Sequence, residues 1–239
     1  YCKDYYGVSE ACCEWSAHFG IHSKGTLYNA VEIEEFREIT SKSTVDYRRD
    51  QKIPADAKVI TFTGRLIPEK GIRQLVAAVK KINESRIEEK KAPVYLMIAG
   101  DGPLKDVLSE IADAYTILLG QIDFEHVVML LNASDIFCLP SDSEGFPTSV
   151  LEAVACRCFV LTTYRGGAKE LILDDSYGII VKENTERVIR ENLEKILDNE
   201  EYCQKAEEKS YDRLTRYFTW DATAAKVMQI AKEMNGEKE

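Results

Sequence analysis

The sequence predicts an α/β fold built on a doubly wound parallel sheet. From about Val59 onward, short apolar runs alternate with amphipathic helical patterns. The runs are apolar on both faces, which is typical of strands in a buried parallel sheet. Strict alternation of strand and helix indicates right-handed crossovers, and such sheets bind ligands beyond the carboxyl ends of their strands. The turns that follow the strands are therefore the places to look for chemistry.

The main domain is predicted to contain six strands joined by helices. The strands cover Val59 to Phe62, Val94 to Ile98, Thr116 to Leu119, Ile136 to Leu139, Phe159 to Thr162 and Gly178 to Val181. Apolar stripes at helical spacing are formed by Ile72, Leu75, Val76, Val79 and Ile82, by Leu104, Val107, Leu108 and Ile111, and by Val188, Ile189, Leu193, Ile196 and Leu197. A last helix is expected from about Asp221, as its N-cap, to Met234.

A piece of a second domain is expected before the main one. Tyr5 to Val8 and Thr26 to Tyr28 are predicted as short strands, and Glu10 to Phe19 as a helix ended by Gly20, with Cys12, Trp15 and Phe19 on one face. The polar stretch from Glu38 to Lys52 is predicted as a linker. The expected division is an N-terminal domain remnant in 1–40, a linker in 41–55, a complete α/β domain in 56–216, and a C-terminal helix with a frayed tail in 217–239.

Composition narrows the functional classes. The chain has 239 residues and a formal net charge of −10, so its surface disfavours nucleic acid. No stretch approaches the ~20 apolar residues of a transmembrane helix. Seven cysteines, some inside apolar runs, indicate reduced thiols in a cytosolic protein. Tyr1 stands in place of Met and no signal-peptide pattern follows, so we expect a processed product or a piece of a longer protein.

Two cations follow the first main strand. Arg65 and Lys70 lie in the turn from Gly64 to Gly71, just before a predicted helix. Because a helix N-terminus already carries free N–H groups and positive dipole, added cations there favour an anion between them. This indicates a phosphate site, with solvated loop charges as the alternative.

The turn after the second main strand has a structural interpretation. Gly100-Asp101-Gly102-Pro103 lacks the third glycine of the dinucleotide fingerprint, because Lys105 occupies that place. Asp101 would also repel a diphosphate. We therefore expect a tight turn with Pro103 at the first helical position.

The loop from Leu139 to Ala153 carries the most specific signal. A helix is expected to start near Pro147, with the N–H groups of Thr148 and Ser149 free for a phosphate oxygen. Gly145 allows a ligand close to the backbone. Glu144 lies on the loop and Glu152 about two turns into the helix. Two carboxylates around an anion cradle suit a nucleotide sugar, whereas the structural alternative makes Glu144 a cap and Glu152 a solvated residue.

In these motifs the chain resembles the retaining GT-B glycosyltransferases of group 1, or family 4. The motifs that match are Gly64-Arg65-Leu66 with Glu69-Lys70-Gly71, Ala99 to Pro103, Leu119-Gly120, Ala133 to Asp135, Pro140-Ser141, Glu144-Gly145-Phe146-Pro147 with Leu151-Glu152-Ala153, and Gly166-Gly167 with Glu170. A weaker match at Val8-Ser9 and Tyr28 to Val31 resembles the end of the family's N-terminal domain. The resemblance implies two Rossmann-like domains, of which the second is complete here.

The resemblance also implies a role for each site residue. Arg65, Lys70 and Glu144 would be catalytic: the two cations would stabilise the leaving diphosphate and Glu144 would bind the transferred sugar. The implied substrate-binding residues are Gly64, Gln121 and Ile122 around the nucleotide, Gly145, Phe146 and Pro147 at the sugar, the Thr148 and Ser149 amides at the diphosphate, and Glu152 at the ribose. No metal or other cofactor is implied.

The implied partners are a UDP-, GDP- or ADP-linked sugar and a glycan or lipid-linked acceptor held by the missing N-terminal domain. The fragment is therefore expected to bind donor without transferring sugar. The parent would be cytoplasmic or peripheral at the inner face of a membrane. Arg157 and Phe159 depart from the family's usual small residue and proline, which should affect local packing.

Other functions remain as alternatives. A nucleotide-sugar epimerase of GT-B-like architecture and a non-catalytic nucleotide-sugar-binding module both fit the pattern in part. A zinc site at His18 and His22, near Cys12 and Cys13, is disfavoured because Gly20 should break the helix between them. The absence of any D-x-D motif disfavours metal-dependent glycosyltransferases, and serine-hydrolase and P-loop motifs are absent as well.

Overall fold

The structure is a computed structural model that describes residues 4–234, and its main body is a six-stranded parallel sheet. The strands are β1 (Tyr6–Gly7), β2 (Gly25–Thr26), β3 (Val59–Thr63), β4 (Tyr95–Ala99), β5 (Thr116–Gly120), β6 (Ile136–Leu139), β7 (Phe159–Thr163) and β8 (Ile179–Val181). The helices are α1 (Glu10–Ala17), α2 (Ile33–Lys42), α3 (Tyr47–Asp50), α4 (Ile72–Glu88), α5 (Lys105–Ile111), α6 (Phe124–Asn132), α7 (Thr148–Ala155), α8 (Ala168–Leu171), α9 (Glu186–Leu197), α10 (Glu200–Tyr217) and α11 (Trp220–Met234), with a 3₁₀ turn at Pro68–Lys70.

The large sheet confirms the predicted fold class. Its strand order is β5-β4-β3-β6-β7-β8, and all its pairings are parallel. The chain winds outward from β3 to β5 and then returns, so that β6 pairs with the other side of β3. This reversal opens a crevice at the carboxyl ends of β3 and β6, which is where doubly wound sheets bind ligands. Each of the six predicted strands lies within one residue of its expected bounds.

The core lies on both faces of this sheet. Every residue of β3 is buried, and Phe62, Phe137 and Phe159 are among the largest fully buried side chains. The predicted stripe on α4 packs inward, from Ile72 to Ile82. Burying one large apolar side chain stabilises a fold by about 1.5–3 kcal/mol, so this core holds the crevice loops on a rigid base.

The N-terminal segment, residues 4–32, forms a small unit of its own against the main body. Strands β1 and β2 pair in parallel around α1, whose N-cap is Ser9. The helix ends at Ala17 rather than at Phe19 as predicted, and the Phe19 ring, beyond its end, contacts the ring of Trp15 at 4.8 Å, with both side chains exposed.

The stretch predicted as a linker is ordered against the main body. Helix α2 continues to Lys42, and α3 buries Tyr47. Arg48 donates to the carbonyls of Ala133 and Ala57, each at 2.8 Å, and pairs with Asp135 at 2.9 Å. The polar composition hid this packing, because single residues rather than an apolar stripe make the contacts.

The C-terminal helices α9 and α10 pack on the main body, and α11 runs from α10 back to the N-terminal segment. Helix α11 is capped by Thr219, whose hydroxyl accepts from the Ala222 amide, so Asp221 is not the N-cap that was predicted. The chain crosses back through a bridge between Val31 and Thr219. The predicted frayed tail begins beyond Met234, outside the described residues. Within residues 4–234 no helix is long and apolar enough to cross a membrane.

Candidate functional site

The turns that follow β3, β4 and β5 enclose a cavity of about 340 Å³. It is lined by three residues that the resemblance implied for substrate binding, Gly64, Gln121 and Ile122, and by Arg65, which it implied to be catalytic. The walls are completed by Thr63, Ala99, Gly100, Asp101 and Val127. The cavity is open at the carboxyl edge of the sheet, beside the crevice between β3 and β6.

The turn after β4 is structural, as predicted, although its helix starts later. The Leu66 amide donates to the Asp101 carbonyl at 2.9 Å, and the Leu104 amide donates to the Leu66 carbonyl at 3.0 Å. Leu104 is the N-cap of α5, so Pro103 precedes the helix and is not its first residue. These bonds fix the turn that carries Arg65.

Arg65 is an exposed cation without an ionic partner. Its guanidinium makes no hydrogen bond or ion pair with any residue between 4 and 234. The buried side chain of Leu66 anchors the turn beside it. An unpaired arginine fixed at a strand end is well suited to a planar or tetrahedral anion.

The loops after β3 and β6 are joined through backbone contacts. The Asp142 amide donates to the Glu69 carbonyl at 2.7 Å, and the buried Ser141 hydroxyl lies 3.1 Å from the same oxygen. Gly71 has a φ of 67° and packs directly under the Pro140 carbonyl, where a Cβ atom would overlap that oxygen. Ser141 belongs to a motif of the sequence, Pro140-Ser141, but nothing in the sequence indicates its partner, because Glu69 lies on another loop.

This joint brings Lys70 and Glu144 together. The Lys70 Nζ lies 2.5 Å from the Glu144 Oε1, and the two side chains are 18% and 10% exposed. The sequence predicted one for the diphosphate and the other for the sugar. In the structure each is the counter-ion of the other.

Helix α7 begins beside this pair. Its first two amides, of Thr148 and Ser149, find no acceptor among the described residues, and Pro147 provides no side-chain cap. Thr148 is exposed and Ser149 half-buried. The free amides and the helix dipole therefore favour an anion at this end of the crevice.

Glu152 lies closer to the start of the helix than predicted. It is the fifth residue of α7, about one turn in rather than two. Its carboxylate is half-buried and forms no hydrogen bond or ion pair within residues 4–234. Burial raises its pKa.

Gly145 and Phe146 differ in what they expose. Gly145 is exposed, as a close approach by a ligand requires. The Phe146 ring is buried and packs on the rings of Tyr28 and Phe218, with centroids 5.8 and 5.4 Å away. Phe146 can therefore meet a ligand only through its backbone.

The predicted metal alternative gains no support from the geometry. Among the residues that the structure describes, no group of three or more His, Cys, Asp or Glu is arranged to hold a metal ion. His18 instead places its Nδ1 2.8 Å from the Glu14 carbonyl.

Comparisons with known proteins agree on one family. The family model described as glycosyl transferases group 1 matches residues 44–213. Glycogen synthase of Mycobacterium tuberculosis is 27% identical over 188 residues, which are 77% of this chain and 44% of that protein. N-acetylgalactosamine-N,N'-diacetylbacillosaminyl-diphospho-undecaprenol 4-alpha-N-acetylgalactosaminyltransferase of Campylobacter jejuni is 28% identical over 198 residues, which are 78% of this chain and 48% of that protein.

Solved structures show the same fold. The structure of HepE from Anabaena in complex with UDP and glucose superposes with a TM-score of 0.79 at 18% identity, over 98% of this chain and 63% of that one. The chain spans about half the length of the curated relatives that it matches.

Proposed function

The chain belongs to the glycosyl transferases group 1 family, and from this premise we propose that it carries the donor-binding half of a retaining GT-B glycosyltransferase. The donor is a nucleoside diphosphate sugar, held at the crevice between β3 and β6. The acceptor is a glycan or a lipid-linked glycan.

One observation carries this proposal. The crevice has unsatisfied donors on two sides, the Arg65 guanidinium and the amides of Thr148 and Ser149, with the Lys70–Glu144 pair close to them. Hydrogen-bond donors alone would suit any phosphate group. A carboxylate beside them suits a ligand that carries hydroxyl groups next to its phosphate, as a nucleotide sugar does.

The proposed chemistry is electrostatic. Arg65, Lys70 and the two amides stabilise negative charge on the departing diphosphate without a metal. Lys70 exchanges its partner Glu144 for a phosphate oxygen, and the freed carboxylate accepts from hydroxyls of the transferred sugar.

The nucleoside lies in the neighbouring cavity. Gln121 and Ile122, which line this cavity, face the base. Glu152, on α7 outside the cavity lining, accepts from the ribose hydroxyls. The HepE structure contains UDP and glucose, so UDP and UDP-glucose are the first ligands to try.

Transfer needs more than these residues. The chain matches about half the length of these curated relatives, and the acceptor is proposed to bind in the part of them that it does not match. The glycogen synthase and the undecaprenol-linked transferase by their names act on a glycan and a lipid-linked glycan. We expect the chain by itself to bind donor and to transfer no sugar to a crude acceptor pool in a radiolabelled-donor assay.

Thermal unfolding with UDP, GDP, ADP and one sugar of each tests donor binding. A ligand at about ten times its Kd stabilises by about 1.4 kcal/mol, which raises the Tm of a chain this size by about 3–6 °C. Replacing both Arg65 and Lys70 by Ala should abolish the shift.

The matched control replaces Arg73 and Lys80, two exposed cations of α4, by Ala and so removes the same charge. It should keep the shift. If none of the six ligands shifts the Tm of the parent, the proposed donor site is wrong.

A further inference from the structure

The N-terminal segment donates two hydrogen bonds into the loop that carries Glu144. The Ser9 hydroxyl donates to the Gly145 carbonyl at 3.0 Å, and the Asn29 side-chain amide donates to the Phe146 carbonyl at 3.3 Å. The acceptors are consecutive residues, immediately after Glu144, while the donors lie 136 and 117 positions away in the sequence. Ser9, at the start of α1, and Asn29, in the segment after β2, thus hold adjacent carbonyls of a single loop.

The packing at this joint leaves little room for movement. Ser9 is fully buried, and its oxygen also accepts from the Cys12 amide at 3.0 Å as the cap of α1. The Gly145 carbonyl accepts a second bond, from the Gly167 amide at 2.8 Å. A Cβ on Gly167 would overlap the Phe146 ring and approach the Ser9 Cβ to 2.8 Å. The loop is therefore held from both sides at one carbonyl oxygen.

Glu170 attaches the start of helix α1 to the main body. Its Oε1 accepts from the Glu10 amide at 2.8 Å, in the first turn of α1, and its own carbonyl accepts from Arg213. The side chain is only 5% exposed, and burial raises its pKa. Helix α1 is thereby attached to the main body right beside Ser9, so the Ser9 hydroxyl is held in place.

The orientation of the loop follows from peptide geometry. A trans peptide bond points its N–H opposite to its carbonyl. Because the Gly145 carbonyl points at Ser9, the Phe146 N–H points away from the N-terminal segment, and it has no acceptor among residues 4–234. Fixing this peptide fixes the direction of a free donor next to Glu144.

We infer that Ser9 and Asn29 are positioning residues for the sugar part of the donor site. They hold the Glu144–Phe146 loop in the conformation that meets the sugar, so the preference for a sugar-bearing donor over the bare nucleotide depends on them. This inference rests on the proposed function, because it takes the sugar to bind at that loop.

The test uses Ser9→Ala and Asn29→Asp in the full chain, with calorimetry against UDP and UDP-glucose. Asn29→Asp is close to isosteric; it removes the donor and adds a negative charge, which the control below adds as well. Each variant should lower the affinity for UDP-glucose by about three- to tenfold, the typical effect of one hydrogen bond, and leave the affinity for UDP within about twofold of the parent.

Both substitutions have matched controls. Ser16→Ala changes a buried serine of the same helix that bonds only inside the N-terminal segment, to the carbonyls of Cys13 and Ile21. Asn192→Asp removes an amide that donates to the Val188 carbonyl on the remote helix α9. Both controls should bind the two ligands like the parent.

A readout without ligand separates this inference from the proposed function. The Gly167 amide shares the Gly145 carbonyl with Ser9, so its hydrogen exchange should become faster in Ser9→Ala and stay parental in Ser16→Ala. Parental affinities for UDP-glucose in both variants would overturn the positioning role and leave the donor site standing. If the parent binds neither UDP nor UDP-glucose, the proposed function fails on these probes, and unchanged exchange at Gly167 would overturn the positioning role by itself.

Discussion

Lys70 and Glu144 form an ion pair of 2.5 Å across two loops of the crevice, with both side chains largely buried. One side chain was predicted for the diphosphate and the other for the sugar. The pair means that the crevice itself supplies a counter-ion to Lys70. A bare nucleoside diphosphate must displace Glu144, whereas a nucleotide sugar offers the displaced carboxylate new partners.

The Glu144→Gln variant should therefore separate the two kinds of ligand. Neutral Gln competes less for Lys70, so UDP should bind about three- to tenfold more tightly. For UDP-glucose the variant also removes a charged acceptor of its hydroxyls, so its affinity should be unchanged or lower. The advantage of UDP-glucose over UDP should then fall about tenfold, measured by calorimetry.

The exposed Glu69, which contributes only its carbonyl to the joint, provides the control. Glu69→Gln removes the same charge and should leave the ratio of the two affinities unchanged. A Glu144→Gln protein that binds UDP more weakly than the parent would contradict the competition between carboxylate and diphosphate.

Arg65→Ala should reduce diphosphate affinity without a cost in stability. The side chain is exposed and unpaired among the described residues, so the free energy of unfolding should change by less than about 0.5 kcal/mol. A lost charge-assisted hydrogen bond weakens binding by about 1.5–3 kcal/mol, or about tenfold or more. Calorimetry with UDP checks this, and Arg73→Ala, on the exposed face of α4, should bind like the parent.

The fold could be predicted because its signal is local. Each strand of the large sheet is a short apolar run, and each helix that packs on it has an apolar stripe, so the alternation is visible without any contact information. The order of residues around the crevice followed from the same alternation, since parallel strands end on one edge.

The contacts within the site could not be predicted in this way. Lys70 and Glu144 are 74 positions apart, and Ser9 and Gly145 are 136 apart. No periodicity links such residues, because their contact depends on how two loops and a separate small unit pack. The helix α3 was missed for a related reason: its attachment rests on the hydrogen bonds of one arginine, Arg48.

Gly71 should be less replaceable than Gly120. Both have a left-handed backbone, with φ of 67° and 71°, so Ala at either position costs about 1–2 kcal/mol in strain. A Cβ at Gly120 meets nothing within 4 Å, but at Gly71 it overlaps the Pro140 carbonyl. Gly71→Ala should therefore destabilise by about 3 kcal/mol or more, measured by denaturant unfolding. Equal costs for the two variants would show that the loops adjust freely.

Glu207 should make stability depend on pH. Burial, and then the neighbouring Asp135, raise its pKa from 4.5 to about 7, with a further rise from Glu200 and opposing effects from Lys58 and Arg157. The folded protein holds this proton more tightly than the unfolded chain, so the stability due to it is complete below pH 4.5 and is lost as the pH rises through about 7. Glu207→Gln should raise the free energy of unfolding at pH 8 by on the order of 1 kcal/mol, after allowance for solvent screening.

The control for this effect is the exposed neighbour, Glu208→Gln, which should follow the parent at every pH. The difference between the Glu207→Gln variant and the parent should shrink as the pH falls from 8 to 4.5. A difference that stays constant over this range would show that the gain comes from packing and not from ionisation.

Replacing Glu152 should raise the stability of the protein and weaken its binding of nucleotide. It is half-buried on α7 without an ionic partner among the described residues, and burial raises its pKa. The ionised carboxylate therefore lowers stability once the pH has risen through the pKa that Glu152 has in the folded protein. Glu152→Gln should then be more stable than the parent at pH 8 and equal to it in acid.

If the carboxylate accepts from both ribose hydroxyls, the same variant should bind UDP and UDP-glucose more weakly by a similar factor, about tenfold or more. Calorimetry and denaturant unfolding on one protein measure both effects, with the exposed Glu110→Gln as the control. A variant that gains stability but binds UDP like the parent would leave Glu152 as a strained residue with no part in the nucleotide site, whereas a loss confined to UDP-glucose would move it from the ribose to the sugar.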